Sequence, residues 1–254
     1  MRTFLVQLLR ELRSIFYTPV AYVVIALFAG LMGFNFQSYI TVLNKQPADV
    51  TVIEIVFLNA LFIFVFAFIA ALITMRSFAE EFRLGTVEML MTAPVKDWHV
   101  VLAKFFGASI FFAILLVPTA ACFWVFHVVA PTAVAAKSLG AIVSTYLLLM
   151  MLGMLFISIG VFASSLVRDQ INAAVITLVV TILYIFIPMI IARLLNVTDP
   201  RVGQVAEFFD PIKHLADFSK GLVDTRRIVW YLSATGFFVL LTHHVFHSRK
   251  LKAS

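Results

Sequence analysis

His243 and His247 stand four residues apart with His244 beside the first, and on a helix that spacing puts two imidazoles on one face, where they could hold a metal ion. The same tract runs into Arg249, Lys250 and Lys252, and polar rings beside a basic end are also how an apolar helix commonly ends at the headgroup level. Interfacial anchoring is the reading adopted for this cluster, and for His127. Gly107-Ala108-Ser109 comes nearest to a nucleophilic serine elbow, but Phe111 occupies the place of its last glycine. No G-x-x-x-x-G-K-[ST] loop is present to cradle a phosphate chain, and no H-E-x-x-H to hold zinc. Cys122 is the single cysteine, so neither an intrachain disulfide nor a cysteine-based zinc site can form. The sequence therefore offers no catalytic residue, no cofactor site and no metal site of its own.

What remains is a segment whose ionised groups are arranged for docking. From Arg76 to Lys104, polar and apolar residues interleave at helical spacing, with Arg76 and Glu80 at i, i+4, where an ion pair is expected. Gly85 is a natural helix stop. Thr86 can cap a short second helix with Glu88 near its positive end, and Met89, Leu90 and Met91 supply an apolar surface before Pro94 ends it. Asp97 then starts the helix that carries Lys104. An amphipathic hairpin lying on lipid is the alternative.

The elements that must position these residues are membrane spans. Of 254 residues, 63% are hydrophobic and 13% charged, a balance that a water-soluble domain hardly tolerates. Six windows free of Asp, Glu, Lys and Arg are long enough to cross hydrocarbon, which takes roughly 20 residues. The spans are placed near Val20 to Ile40, Ile55 to Met75, Phe106 to Val129, Leu139 to Leu166, Ile171 to Ile191 and Ile228 to His247. None contains a carboxylate, which argues against proton or sodium coupling at mid-membrane. The net charge of +6 does not call for nucleic acid, because its position explains it. With the N-terminus cytoplasmic, the short segments carry eleven Lys and Arg inside and two outside, as the positive-inside rule favours. Both termini are then cytoplasmic. The 193–227 segment, with six basic residues offset by five acidic ones, falls outside.

Residues 1–18 read as an amphipathic helix lying along the inner surface rather than a signal peptide, with Phe4, Leu5, Leu8, Leu9, Leu12, Ile15 and Phe16 at helical spacing. The alternative is the start of a long first span. Pro19 allows the turn into span 1. Ala29, Gly33, Gly153, Ser158, Gly160, Ala163 and Ser164 permit close helix approach, within one subunit or at a seam between two. Pro118 and Pro188 interrupt spans 3 and 5. Asp199-Pro200 and Asp210-Pro211 each have the form of an N-cap followed by proline, so two short helices are expected between spans 5 and 6. The second should present Ile212, Leu215, Ala216, Ser219, Leu222 and Val223 on one side and end at Gly221 and Asp224. A gate, a docking site for an auxiliary subunit, and a plain amphipathic cap all fit it.

The sequence E-E-F-R-L-G-T-V-E-M-L-M-T-A-P-V, Glu80 to Val95, followed by Lys104, resembles the cytoplasmic signature of type-2 ABC exporter permeases. Glu11 to Tyr22 and Phe209 to Ser233 are similar to the lead into span 1 and the segment before the last span of the gliding-motility-associated members, and nitrous-oxide-reductase maturation permeases share much of this pattern. The resemblance implies an all-α, six-span permease forming a single domain, residues 1–254, in a bacterial inner membrane. It has a cytoplasmic coupling loop over 76–104 and an extracytoplasmic helical loop over 193–227. It implies that Glu80, Glu81, Gly85, Thr86, Glu88, Pro94 and Lys104 couple to a separate ATPase that carries ATP and Mg, and that two such chains, identical or homologous, work together. Asp210, Pro211, Gly221 and Asp224 would belong to the outer gate or docking element, beside a periplasmic auxiliary subunit if there is one. Two other classes compete: a scaffold on which ATP turnover remodels a partner protein, and a channel or carrier that needs no ATPase.

Overall fold

A computed structural model describes residues 2–43, 56–86, 96–129, 139–195 and 207–253, and among these the regular structure is entirely helical. The helices are α1 (Arg2–Tyr17), α2 (Pro19–Leu43), α3 (Ala60–Thr74), α4 (Ala79–Leu84), α5 (Asp97–Val129), α6 (Leu139–Leu166), α7 (Gln170–Leu195), α8 (Pro211–Ser219) and α9 (Thr225–Ala253). Six segments of the described chain are long and apolar enough to cross a bilayer, matching in number and order the six expected. The Asp199-Pro200 helix falls outside the described residues.

Local chemistry sets the boundaries. The chain bends at Thr18, whose hydroxyl donates to Ser14 O at 2.9 Å, and proline opens α2 where its missing N–H costs nothing. The helix of span 2 starts later than its apolar window, because Asn59 caps it by accepting from Leu61 N and donates from Nδ2 to Asn35 Oδ1 on α2 at 3.1 Å. Helices α5 and α7 continue through Pro118 and Pro188.

The hub is α6, which packs against α3, α5, α7, α8 and α9. Its span is 72% buried, whereas the spans of α2, α7 and α9 are 28%, 28% and 17% buried and leave broad apolar faces outward. Small residues make the hub possible. A Cβ on Gly153 would lie 2.2 Å from the Phe112 ring, and one on Gly160 would lie 2.0 Å from Thr74 Oγ1, so α5 and α3 approach within reach of the α6 backbone. Gly33, by contrast, faces open space. The phenylalanines of span 2 divide by face: Phe62 and Phe66 are buried in edge contacts with Phe57 and Phe112, while Phe64 and Phe68 point outward.

Contacts place the two chain ends at one face. Helix α1 lies along the start of α5, and the end of α9 meets the same region through Lys250 and Asp97. Helix α8 sits at the other end of α6, against Ala141 to Thr145, so roughly 35 Å of helix separates the two faces.

Candidate functional site

At the face holding the termini, one lysine organises three elements. Lys104, on the first turns of α5, is a cation that hydrocarbon would reject unpaired, and its side chain is only 2% exposed. Its Nζ reaches Glu81 Oε1 of α4 at 2.9 Å and Glu11 Oε1 of α1 at 3.2 Å. It also lies 5.0 Å from the centre of the Phe78 ring. Arg10 closes the cluster from the exposed side, 3.5 Å from Glu11 and 3.8 Å from Glu81. Helix α1 comes this close because position 107 is glycine: a Cβ there would stand 3.2 Å from Glu11 Cβ. Phe4 against Phe106 and Phe16 against Phe111 hold the rest of its inner side, and Leu5, Val6 and Leu9 stay exposed.

The first described part of the segment expected to couple, residues 75–86, is an elbow. Helix α3 stops at Thr74, the chain turns over 75–78, and the six-residue α4 follows. Ser164 of α6 makes this turn, its hydroxyl accepting from Phe78 N and Ala79 N at 3.0 Å each and lying 3.3 Å from Met75 O. The break removes the helical continuity on which the expected Arg76–Glu80 pair depends. No such ion pair forms, since the turn removes the i, i+4 geometry. Gly85 ends α4 in the left-handed conformation, φ 71°, as a helix stop requires. The short helix that Thr86 is expected to cap lies outside the described residues. The Thr86 hydroxyl reaches back 3.5 Å to Glu81 O. Arg83, Leu84, Gly85 and Thr86 are exposed, while Glu80 and Glu81 are half-buried. Glu88 and Pro94 lie outside the described residues.

The last helix locks onto the same face. Asp97 accepts from Lys250 at 2.8 Å and pairs with His247 Nδ1 at 2.9 Å, and His243 stacks on Trp98 with centroids 4.0 Å apart. Arg249 donates to Leu166 O at 2.7 Å, capping α6, and lies over the Phe82 ring at 4.5 Å. His243 and His247 are thus used in contacts between helices. Sequence reasoning named Lys104 and Glu81 but missed their partner Glu11 and the part played by Ser164. The available signal was that Glu11 is the single acid of α1 and Lys104 the last cation before a long apolar run, two lone charges at one depth.

The elbow, the amphipathic lead helix and the six spans form one arrangement, and comparison with known families identifies it. The sequence profile described as ABC-2 family transporter protein matches residues 9–245. The chain belongs to this ABC-2 family. It is accordingly a multi-pass membrane protein and the membrane permease subunit of an ABC transporter, a component that is not itself catalytic and that generally has an ABC ATPase as partner. No curated protein matches the chain.

At the opposite face of this ABC-2 permease, Asp210 caps α8 by accepting from Ile212 N at 2.9 Å, with Pro211 at the first helical position, as the sequence implied. Gly221 turns the chain at φ 82°, and Asp224 caps α9 by accepting from Arg226 N at 2.9 Å. Ser144 donates to Phe218 O at 2.7 Å and fixes α8 on α6. The buried side differs from the one expected. Leu215 and Ser219 are buried, but Leu222 and Val223 are exposed because the helix has already ended, and His214 and Phe218 take the inner positions. Arg227 joins Asp217 at 2.6 Å and Asp224 at 4.0 Å above them.

His214 is fully buried between Phe208 O at 2.9 Å and the Tyr231 hydroxyl at 3.0 Å. The carbonyl can only accept, so Nε2 carries the proton, while Nδ1 meets the Tyr231 hydroxyl. Burial, with the nearby Arg227 cation, lowers the His214 pKa to about 4. A folded-state value below the unfolded one gives stability that is complete above the unfolded pKa and declines as pH falls towards the folded one. Between pH 7 and 5 the α8 element should lose about 2 kcal/mol, seen as faster proteolysis next to Lys213 and Lys220, and His214→Gln should flatten that dependence. A profile with the same slope in both proteins would show that another group is responsible.

Proposed function

We propose that the chain is the permease subunit of an ATP-driven exporter of a bacterial inner membrane, close to the gliding-motility-associated members, in which a separate cytoplasmic ATPase holds ATP and Mg. Two ATPase copies would act on two permeases, and the outward apolar faces of α2, α7 and α9 leave area for a second copy as well as for lipid. The observation that carries the reading is the Lys104 clasp. Because one buried cation joins α1, α4 and α5, a force applied at the exposed 83–86 tip reaches a surface helix and two spans together. Closing of the ATPase dimer would then tilt helices as rigid bodies. The distribution of Lys and Arg supports a cytoplasmic position for this face.

The test is purification of the tagged permease from its native host with its ATPase. Arg83→Glu combined with Leu84→Asp should leave the permease in the membrane and lower the amount of ATPase retained by roughly tenfold, since opposed charge and a lost apolar contact act together. Undiminished retention removes the tip from the docking surface. A second reading, a scaffold that remodels an outer partner, draws on the rigid Asp210 to Asp224 element, which is capped at both ends and fixed to α6. A stoichiometric periplasmic protein that stays bound through that element would favour it.

A further inference from the structure

A cavity of about 680 Å³ opens between α1, the start of α2, the end of α3 and α4. That volume lies within the roughly 300–1,000 Å³ typical of sites for small molecules. Its lining is divided. Val24, Leu72, Ile73 and Phe111, within the apolar spans, line one part of it, while the ionic groups stand towards the span ends. Three cations, Arg10, Arg76 and Lys104, face three carboxylates, Glu11, Glu80 and Glu81. Their formal charges cancel, so an anion would meet the carboxylates and a cation the arginines. A zwitterion offers each side its complement.

Three buried side-chain atoms without a hydrogen-bond partner belong to residues of this wall: the donor Arg76 Nε and the acceptors Gln7 Oε1 and Glu81 Oε2. Arg76 forms no ion pair among the described residues. Unmatched buried groups of this kind are costly, and here all three belong to residues that line one cavity. An acceptor would satisfy Arg76, and N–H donors would satisfy Gln7 and Glu81. A phosphate followed by a primary ammonium supplies both, with an acyl chain for the apolar floor. We propose that the cavity binds a phosphatidylethanolamine molecule, its phosphate on Arg76 and Arg10 and its ammonium on Gln7 and Glu81. A choline headgroup cannot fill the site in this way, because its trimethylated nitrogen has no N–H to donate, and phosphatidylglycerol has no cation for the carboxylates.

Native mass spectrometry of the full-length permease, freed of lipid in detergent and titrated with phosphatidylethanolamine, phosphatidylglycerol or phosphatidylcholine, tests this without any ATPase. One phosphatidylethanolamine per chain should bind roughly tenfold more tightly than phosphatidylcholine, the effect of one or two charge-assisted hydrogen bonds. Arg76→Gln should remove that preference. Gln7→Leu, which leaves every charge in place, should reduce it roughly threefold and serves as the test if the first variant does not fold. Equal binding of the ethanolamine and choline lipids, a preference intact in both variants, or equal competition by soluble phosphoethanolamine would overturn the proposal.

Discussion

Lys104→Met is expected to lower the stability of the permease by about 3–5 kcal/mol, the usual cost of removing one partner from a buried ion pair. Methionine keeps most of the volume, so the loss comes from charge. Without Nζ, Glu11 Oε1 and Glu81 Oε1, now 3.2 and 2.9 Å from it, face each other across an apolar gap. Arg10 cannot replace the lysine, since its side chain is 59% exposed and already stands 3.5 and 3.8 Å from the two carboxylates. The visible result should be release of α1, measured as rapid protease cleavage near Arg10 and Arg13 and a lower unfolding temperature in detergent. Neutralising the carboxylates as well, Glu11→Gln with Glu81→Gln, should recover a large part of the loss, because the penalty lies in the uncompensated charges. A Lys104→Met protein that resists heat and protease like the parent would mean that the clasp holds nothing together.

The number, order and approximate bounds of the spans were legible because hydrocarbon imposes one rule on every segment, and a run of apolar residues satisfies it alone. Gly85, Asp210 and Pro211 were legible for a related reason: a left-handed stop and a capped start depend on one or two residues. Partnerships between distant positions were not. Lys104 is 93 residues from Glu11 and Ser164 is 86 from Phe78, and nothing in either neighbourhood specifies the other. The same gap explains Arg76, which local spacing assigned to Glu80 and which the turn at 75–78 carries into the cavity wall. His214 was hidden differently. On an amphipathic helix its place among the buried residues looks like a fault in the pattern until Tyr231 and Phe208 O supply its partners.

Ser164→Ala should have the second largest effect, and it acts on the elbow directly. Helix α4 begins after Phe78, which has no side-chain oxygen, so the ordinary local cap is missing. The hydroxyl of Ser164 takes its place from another span and accepts from two consecutive buried N–H groups. Alanine would leave both without a partner, at roughly 1–3 kcal/mol each, and would also end the contact with Met75 O. Water reaching the turn would relieve the cost only by opening it, so the loss should appear as local motion before it appears as global unfolding. Hydrogen exchange over 75–86 should accelerate by roughly tenfold or more, with little change in α9. Ser158→Ala is the matched control, since among the described residues that hydroxyl bonds only to Leu155 O of its own helix and its removal strands no N–H there. If exchange over the elbow is as slow in Ser164→Ala as in Ser158→Ala, the cap from α6 is dispensable. The turn would then be held by Lys104 and by the packing of Phe78 against Phe246.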